Sequence, residues 1–598
     1  MRLCVVHRTH PHALFLLACI QIASFGCGRV RYQSRDLGTE FDAFALDALP
    51  MMDSPDALVS IDVGQSDAAD SAADSPDAVI TVDSPDAPAR DAFCGCSIHA
   101  TCTVDLRCVC NTGYAGDGFS CLSTRWATGD LEAFIKASNT DANDAFGRVV
   151  ISGDGNTLVV GSFQEDTSGA GINPPTDEAL PDSGAVYVYV RSGGVWTFQA
   201  FLKASNPGDG DAFGFGIALS NDGNTLALGS FTEDSSGSGV GSVPDNGVSN
   251  SGAVYVFART GLAWSEQAFI KASNAGGRDA FGFAVALADD GNTLIVGAPF
   301  EGTLGTGIDP VSNESAPNSG AVYVYERLGT VWSFRHFIKA SNTSASDSFG
   351  ITLSISADGS TFAVGASGED GSGTGVGSVS DEASNGSGAV YVYARSGATW
   401  TFDEYIKASN TGISDDFGFS IALSTTGDTL AVGADQEDSS GVGIGSLSNE
   451  AASGSGAVYV YQRTEGLWAF QAFIKSINTE ANDAFATVAL SGNGDLLAVG
   501  ATFESSSGAR VGSTPNESSF NAGAVYLYVR SGTTWTFEAF VKAGNPGPED
   551  RFGSSVTLSR NGRFLAVGAA QENSSGLLVD SIPNESAPLS GAVYTYVE

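Results

Sequence analysis

Beyond residue 121 the 598-residue chain has no cysteine and one histidine, His336. No Ser-His or Cys-His pair can be assembled there, which removes the commonest nucleophilic machinery. Positive charge is scarce as well. Twenty-eight Lys and Arg stand against 68 Asp and Glu, a net charge of −40. That balance argues against nucleic acid, whose phosphates need basic partners, and against docking on anionic lipid. It suits solubility or cation binding. Charged residues are only 16% of the chain while glycine numbers 75, which fits short strands and tight turns, not helices. The apolar run Ala13 to Ala23 has 11 residues, short of the roughly 20 that span a bilayer. With Arg2 and Arg8 before it and small residues after, it reads as an export signal over 1–26.

Of nine cysteines, Cys4 and Cys19 leave with the signal and six fall between Cys94 and Cys121. Cys27 is left without a partner, which in an exported chain needs a reason. Ser24-Phe25-Gly26-Cys27 resembles the lipobox of bacterial lipoproteins, although that family usually has Leu three residues before the cysteine. The resemblance implies acylation of Cys27 and a place at the bacterial outer membrane or cell surface, held by the lipid alone. Plain secretion with cleavage nearby is the alternative. Two or more acyl chains suffice for stable anchoring at about 0.8 kcal/mol per buried CH₂. Residues 28–93 follow as a stalk rich in Asp, Ala, Ser and Pro, with DSPDA recurring at Asp53, Asp74 and Asp83. So acidic a segment, with few aromatics, cannot bury enough surface to fold.

The six cysteines of 94–121 are spaced C-x-C-x5-C-x5-C-x-C-x10-C. A module this short needs disulfides, each worth about 2–4 kcal/mol, and therefore an oxidising compartment. Spacing alone leaves 15 pairings open. The stretch Cys110 to Cys121, CNTGYAGDGFSC, resembles an EGF-like domain. The resemblance implies Cys94–Cys102, Cys96–Cys108 and Cys110–Cys121. The module departs from the family in having one residue between its first two cysteines, and it lacks the acidic residues of calcium-binding EGF domains. It reads as a rigid spacer; zinc binding is the weaker alternative, since no CxxC pair is present.

From 122 to 598 the chain repeats itself. Tryptophans stand at Trp126, Trp196, Trp264, Trp332, Trp400, Trp468 and Trp535, and the only lysines are Lys136, Lys203, Lys271, Lys339, Lys407, Lys475 and Lys542. Seven copies of a strand-rich unit predict an all-β, seven-bladed β-propeller. In the second unit, Phe213 to Leu219 reads as a strand, Asn221-Asp222-Gly223-Asn224 as a tight hairpin, and Thr225 to Gly229 as an apolar strand. A polar stretch of about 20 residues leads to a third strand, Gly252 to Phe257, and the Trp264 segment forms the fourth. Each unit is thus a four-stranded antiparallel meander. The chain ends after a third-type strand, so the segment around 126–138 is expected to supply the last blade's fourth strand and close the ring.

The units resemble FG-GAP repeats, the blades of the integrin α-subunit propeller. Six carry Phe-Gly, at Phe146, Phe213, Phe281, Phe349, Phe417 and Phe552, and one has Phe485-Ala486; Gly297-Ala298-Pro299 is the full GAP element. The integrin calcium loop, Asp-x-Asp-x-Asp-Gly, is shortened here to sequences such as Ser152-Gly153-Asp154-Gly155, so its ligands do not carry over.

In a meander, the long loop between strands two and three shares a rim with the link between blades. Loops longer than about 12–15 residues are uncommon unless functional or disordered. Here the loops bring Glu165, Glu233, Glu301, Glu369, Glu437, Glu504 and Glu572, and the links bring Asp144, Asp211, Asp279, Asp347, Asp415, Asp483 and Asp550. One reading is an acidic, calcium-supported binding rim, since hard cations want clustered oxygens. The other is that each Asp caps a turn or pairs with its unit's Lys, and that the loop acids are solvated. Paired carboxylates leave glycoside hydrolysis open, but no unit carries a suggestive acid its siblings lack, and the expectation is no enzyme. The chain is expected to be a lipid-anchored surface protein that binds or adheres to an extracellular protein or polysaccharide. A structural surface-layer component without a discrete ligand and a carbohydrate-active enzyme are the alternatives.

Overall fold

The computed structural model describes side chains for Trp126 and residues 129–598, residue 379 excepted. The signal, Cys27, the stalk and the EGF-like module all lie outside the described residues. The described part forms seven antiparallel sheets built on four strands; in six of them the four follow one another in the sequence, and the seventh takes its outer strand from the beginning of the described part. Blade 1 is Arg148–Ile151, Thr157–Ser162, Ala185–Ser192 and Val195–Leu202. The others follow the same plan; blade 3 gains a two-residue fifth strand, Gly307–Ile308, laid against its outer strand.

Burial follows the sequence pattern. The second strand, apolar through its middle, is buried at every position in six blades, as in Thr225–Ser230, and at all but Phe564 in the seventh. The fourth strand is partly exposed over its first half and buried over its last residues, as in Val195–Leu202. The core lies between blades: Val254, Val256 and Ile270 of blade 2 pack with Phe281, Tyr323, Tyr325 and Trp332 of blade 3. Each repeat therefore completes its core only against a neighbour.

Ring closure matches the expectation. Asp130–Ile135 pairs with Ala592–Val597, with Val593 opposite Ile135 and Tyr594 opposite Phe134. Trp126 precedes that strand instead of lying on it, unlike its six counterparts, and donates its indole N–H to the Gly562 carbonyl at 3.1 Å.

The Phe-Ala exception also has a structural reason. In blades 2, 3, 4, 5 and 7 the glycine after Phe has φ between +86° and +97°. Blades 1 and 6 have one residue fewer between this Phe and the hairpin serine, and neither Gly147 nor Ala486 adopts positive φ. Without the left-handed turn, alanine at 486 costs nothing in backbone strain.

At the hairpin end the blades are laced by a closed ring of backbone hydrogen bonds. The N–H of Gly153 donates to the carbonyl of Asn221, Asn221 to Asp289, Asp289 to Ala357, Ala357 to Thr425, Thr425 to Gly492, Gly492 to Arg560, and Arg560 back to Gly153, at 2.7–3.1 Å. A cavity of about 160 Å³ remains there. Arg560 and Asp289 form an ion pair in its lining.

Candidate functional site

The fourteen candidate carboxylates do gather at the loop end of each blade, but beneath its surface. The seven glutamates are 0–1% exposed and the seven aspartates 1–4%. They are not an open acidic rim, and the loop glutamates are not solvated. The reason is the lysine that each unit carries. Every Lys side chain is fully buried, and each Nζ meets its blade's glutamate at 2.8–3.1 Å: Lys203–Glu165, Lys271–Glu233, Lys339–Glu301, Lys407–Glu369, Lys475–Glu437, Lys542–Glu504 and Lys136–Glu572. A buried ammonium demands acceptors. In blade 2, Lys271 also donates to Ser251 Oγ at 2.7 Å. Burial lowers the lysine pKa values, and the paired glutamates oppose that shift.

Each glutamate is held from a second side. Asn206 Nδ2 donates to Glu233 at 3.1 Å, and Tyr255 Oη donates to Asn206 Oδ1 at 2.7 Å. All seven blades repeat this chain of contacts. A Ser or Thr two residues after the glutamate supplies a further hydroxyl, as Thr303 does to Glu301 at 2.5 Å. Blade 4 has Gly371 at that position. There Tyr405, which stands where the other blades have Phe, donates its hydroxyl to Glu369 at 2.7 Å.

The aspartates take the turn-capping role. Asp211 accepts the Gly208 N–H at 2.7 Å, and the other six accept equivalent amides at 2.6–2.9 Å. Burial, with neighbouring acids adding, pushes six of them up to about 7 and Asp347 to about 8. Among the described residues no group of three or more His, Cys, Asp or Glu is arranged to hold a metal ion. His336 lies on the outer surface of blade 3 and meets Asp309 at 2.9 Å.

The hairpin end has a second network, built from the tryptophans. Arg259 lies 5.2 Å over the Trp264 ring, and Trp264 Nε1 donates to Gln199 of the preceding blade at 3.0 Å. The Gln199 position varies: Gln267, Arg335, Asp403, Gln471, Glu538 and Glu132 occupy it elsewhere.

Sequence reasoning did not find one concavity. It is a groove of about 470 Å³ on the flank of blade 5, bounded by its long loop, its outer strand and the next blade's last turn. Four segments separated in sequence form it, 409–410, 444–448, 470–473 and 533–535, and none of them departs from its counterparts in other repeats in a way that marks it.

Seven four-stranded meanders closed by a shared last sheet define a seven-bladed β-propeller of the repeat-built kind. The chain carries FG-GAP repeats: residues 196–257 and 264–325 each match the family described as FG-GAP repeat. Both matches run from one blade's tryptophan strand into the next blade, so the sequence unit is offset from the structural one. No curated protein matches the chain. Solved structures with similar folds include Kuenenia stuttgartiensis hydrazine synthase, at 13% identity and TM-score 0.41 over 75% of this chain and 97% of the other. A structure of U3-55K gives 12% and 0.40, over 78% and 98%. The periplasmic gluconolactonase PpgL of Pseudomonas aeruginosa gives 14% and 0.38, over 67% and 86%. Likeness at this level carries no argument about activity.

Proposed function

We propose that the protein is a surface-displayed binding or adhesion scaffold, anchored through an acylated Cys27, that recognises an extracellular protein or polysaccharide on its loop-bearing side. One observation supports this reading. The long loops are pinned at their roots by the buried Lys–Glu–Asn clusters, and one repeat position near their tips exposes an apolar side chain in four blades: Val243 at 81%, and Val311, Leu447 and Ile582 at 86%. Single exposed apolar residues are ordinary. The same position exposing one in four of the seven blades, on loops tied at their roots, favours a contact surface.

Immobilised full-length protein is to be challenged with polysaccharides and extracellular proteins, with and without calcium. Changing the four tip residues to Ser should abolish retention without altering the melting temperature. A quadruple variant that binds like the parent sinks the loop-face reading. For the anchor, Cys27→Ala should move the protein into the medium; membrane-bound variant protein rules the lipid out.

A further inference from the structure

The geometry points to the blade 5 groove as a binding site for one neutral sugar residue of a polysaccharide, an assignment that rests on the surface-binding reading above and narrows its ligand. At about 470 Å³ the groove falls within the roughly 300–1,000 Å³ of small-molecule sites. No charged side chain lines it, although the chain's net charge is −40. An ionic ligand therefore has no partner there.

What lines the groove is a half-exposed ring, hydroxyls and an amide. Phe470 is 42% exposed and lines the wall. Ser446 Oγ is buried without a hydrogen-bond partner, as are its equivalents Ser242, Ser378, Ser513 and Ser581, and in blade 5 alone that hydroxyl stands beside an uncharged wall; an unmet hydroxyl costs about 1–3 kcal/mol unless a ligand supplies a partner. Gln471 accepts the Trp535 indole N–H at 2.8 Å through Oε1, while its amide nitrogen makes no hydrogen bond among the described residues. Thr533 and Thr534 add exposed hydroxyls from the neighbouring blade. A pyranose has an apolar C–H face for an aromatic ring and hydroxyls that both donate and accept, so it satisfies this set. A peptide would bring one backbone donor and acceptor per residue and gain nothing from the absence of charge.

The repeats supply their own controls, because every other blade breaks the set at an equivalent position. Blade 1 has Pro174 in place of Ser446, and blade 2 has Glu266 in place of Phe470. Blade 3 has Asp309, Pro310, Arg335 and His336, and blade 4 has Asp403 and Glu404. Blade 6 has Glu538, and blade 7 has Asp580 and Glu132. Blade 5 alone combines Ser446, Phe470, Gln471 and Ala472.

The test uses the full chain in affinity electrophoresis through gels holding dextran, laminarin or galactomannan, with tryptophan emission followed in parallel because Trp535 lines the groove. At least one polysaccharide should retard the protein and shift its emission. Phe470→Ala should weaken that binding at least tenfold, and so should Ser446→Pro, which copies the backbone already accepted at Pro174 and Pro310. Phe198→Ala, the same change in blade 1, should leave it unaltered. Equal binding by Phe470→Ala, or equal loss in Phe198→Ala, overturns the assignment. If no polysaccharide binds but a purified surface protein does, the sugar assignment falls and the broader reading stands. If neither binds, both fall.

Discussion

The two ends of each blade carry polar networks of similar size with opposite histories. At the loop end, the Lys–Glu–Asn–Tyr set recurs in all seven blades. At the hairpin end, the position beside the Arg–Trp pair holds Gln, Arg, Asp or Glu, depending on the blade, and where it holds Arg335 the pair's Arg395 turns to Glu326 instead. Burial separates them. The lysines are fully buried, whereas Arg463 and its partner Asp403 keep 20% and 27% of their side-chain surface. Removing one partner from a dry ion pair strands a charge, at about 3–5 kcal/mol, while a partly wet pair is worth about 0–1. Repeats diverging from a common unit can lose the second kind of contact one member at a time. The first kind must be kept whole or replaced whole.

The most direct way to break this comparison is to cut each network in the same blade. Lys271→Met should destabilise the propeller by about 3–5 kcal/mol, read from the midpoint of chemical denaturation, because Glu233 is then buried and unpaired. Arg259→Met should cost about 1 kcal/mol or less. The double variant Lys271→Met/Glu233→Leu should recover most of the single loss, since it leaves no orphan charge. A Lys271→Met protein as stable as its parent would mean that burial does not explain the invariance.

Blade 4 sharpens the point at a smaller scale, being the one place where the dry network was rebuilt. Gly371 supplies no hydroxyl, Tyr405 supplies it instead, and a Cβ at Gly371 would lie 2.7 Å from that Tyr405 oxygen. The two solutions exclude each other. Tyr405→Phe should cost about 1.5–3 kcal/mol for one hydrogen bond lost to a charged acceptor, which keeps its bond from Asn342. Gly371→Ser alone should also destabilise, by crowding. Together they recreate the arrangement of the other blades and should approach parental stability, a sign-reversing double-mutant cycle. Additive losses would show that the hydroxyl is dispensable.

Blade number, strand order and the shared last blade were legible in the sequence because each is periodic, and periodicity survives without coordinates. The acids were misplaced because a solvated and a buried glutamate look alike on paper. The lysine count held the missing information: one Lys per unit at a fixed distance from apolar residues, such as Lys271 after Phe269-Ile270, indicates a buried cation, and a buried cation needs a carboxylate. The groove was illegible for a different reason. Ser446, Gln471 and Thr534 become neighbours only once two blades pack, and each is unremarkable within its own segment.

A pH-dependent effect lies in the seven capping aspartates, which share the dry end but have no cation at hydrogen-bond distance among the described residues. Burial raises Asp211 from its ordinary range to about 7. Between about pH 4 and 7 the folded protein then holds a proton that the unfolded chain has released, so this group's contribution is complete below pH 4 and is lost as pH rises towards 7. Asn at this position keeps an acceptor for the Gly208 N–H and cannot titrate. Melting curves of the parent and Asp211→Asn, taken at half-unit steps, should therefore differ by an amount that grows from pH 4 to pH 7 in favour of the variant, then levels off. A difference that is constant across that range would mean the Asp211 carboxyl ionises normally, and that the loop end is wetter at its aspartates than at its lysines.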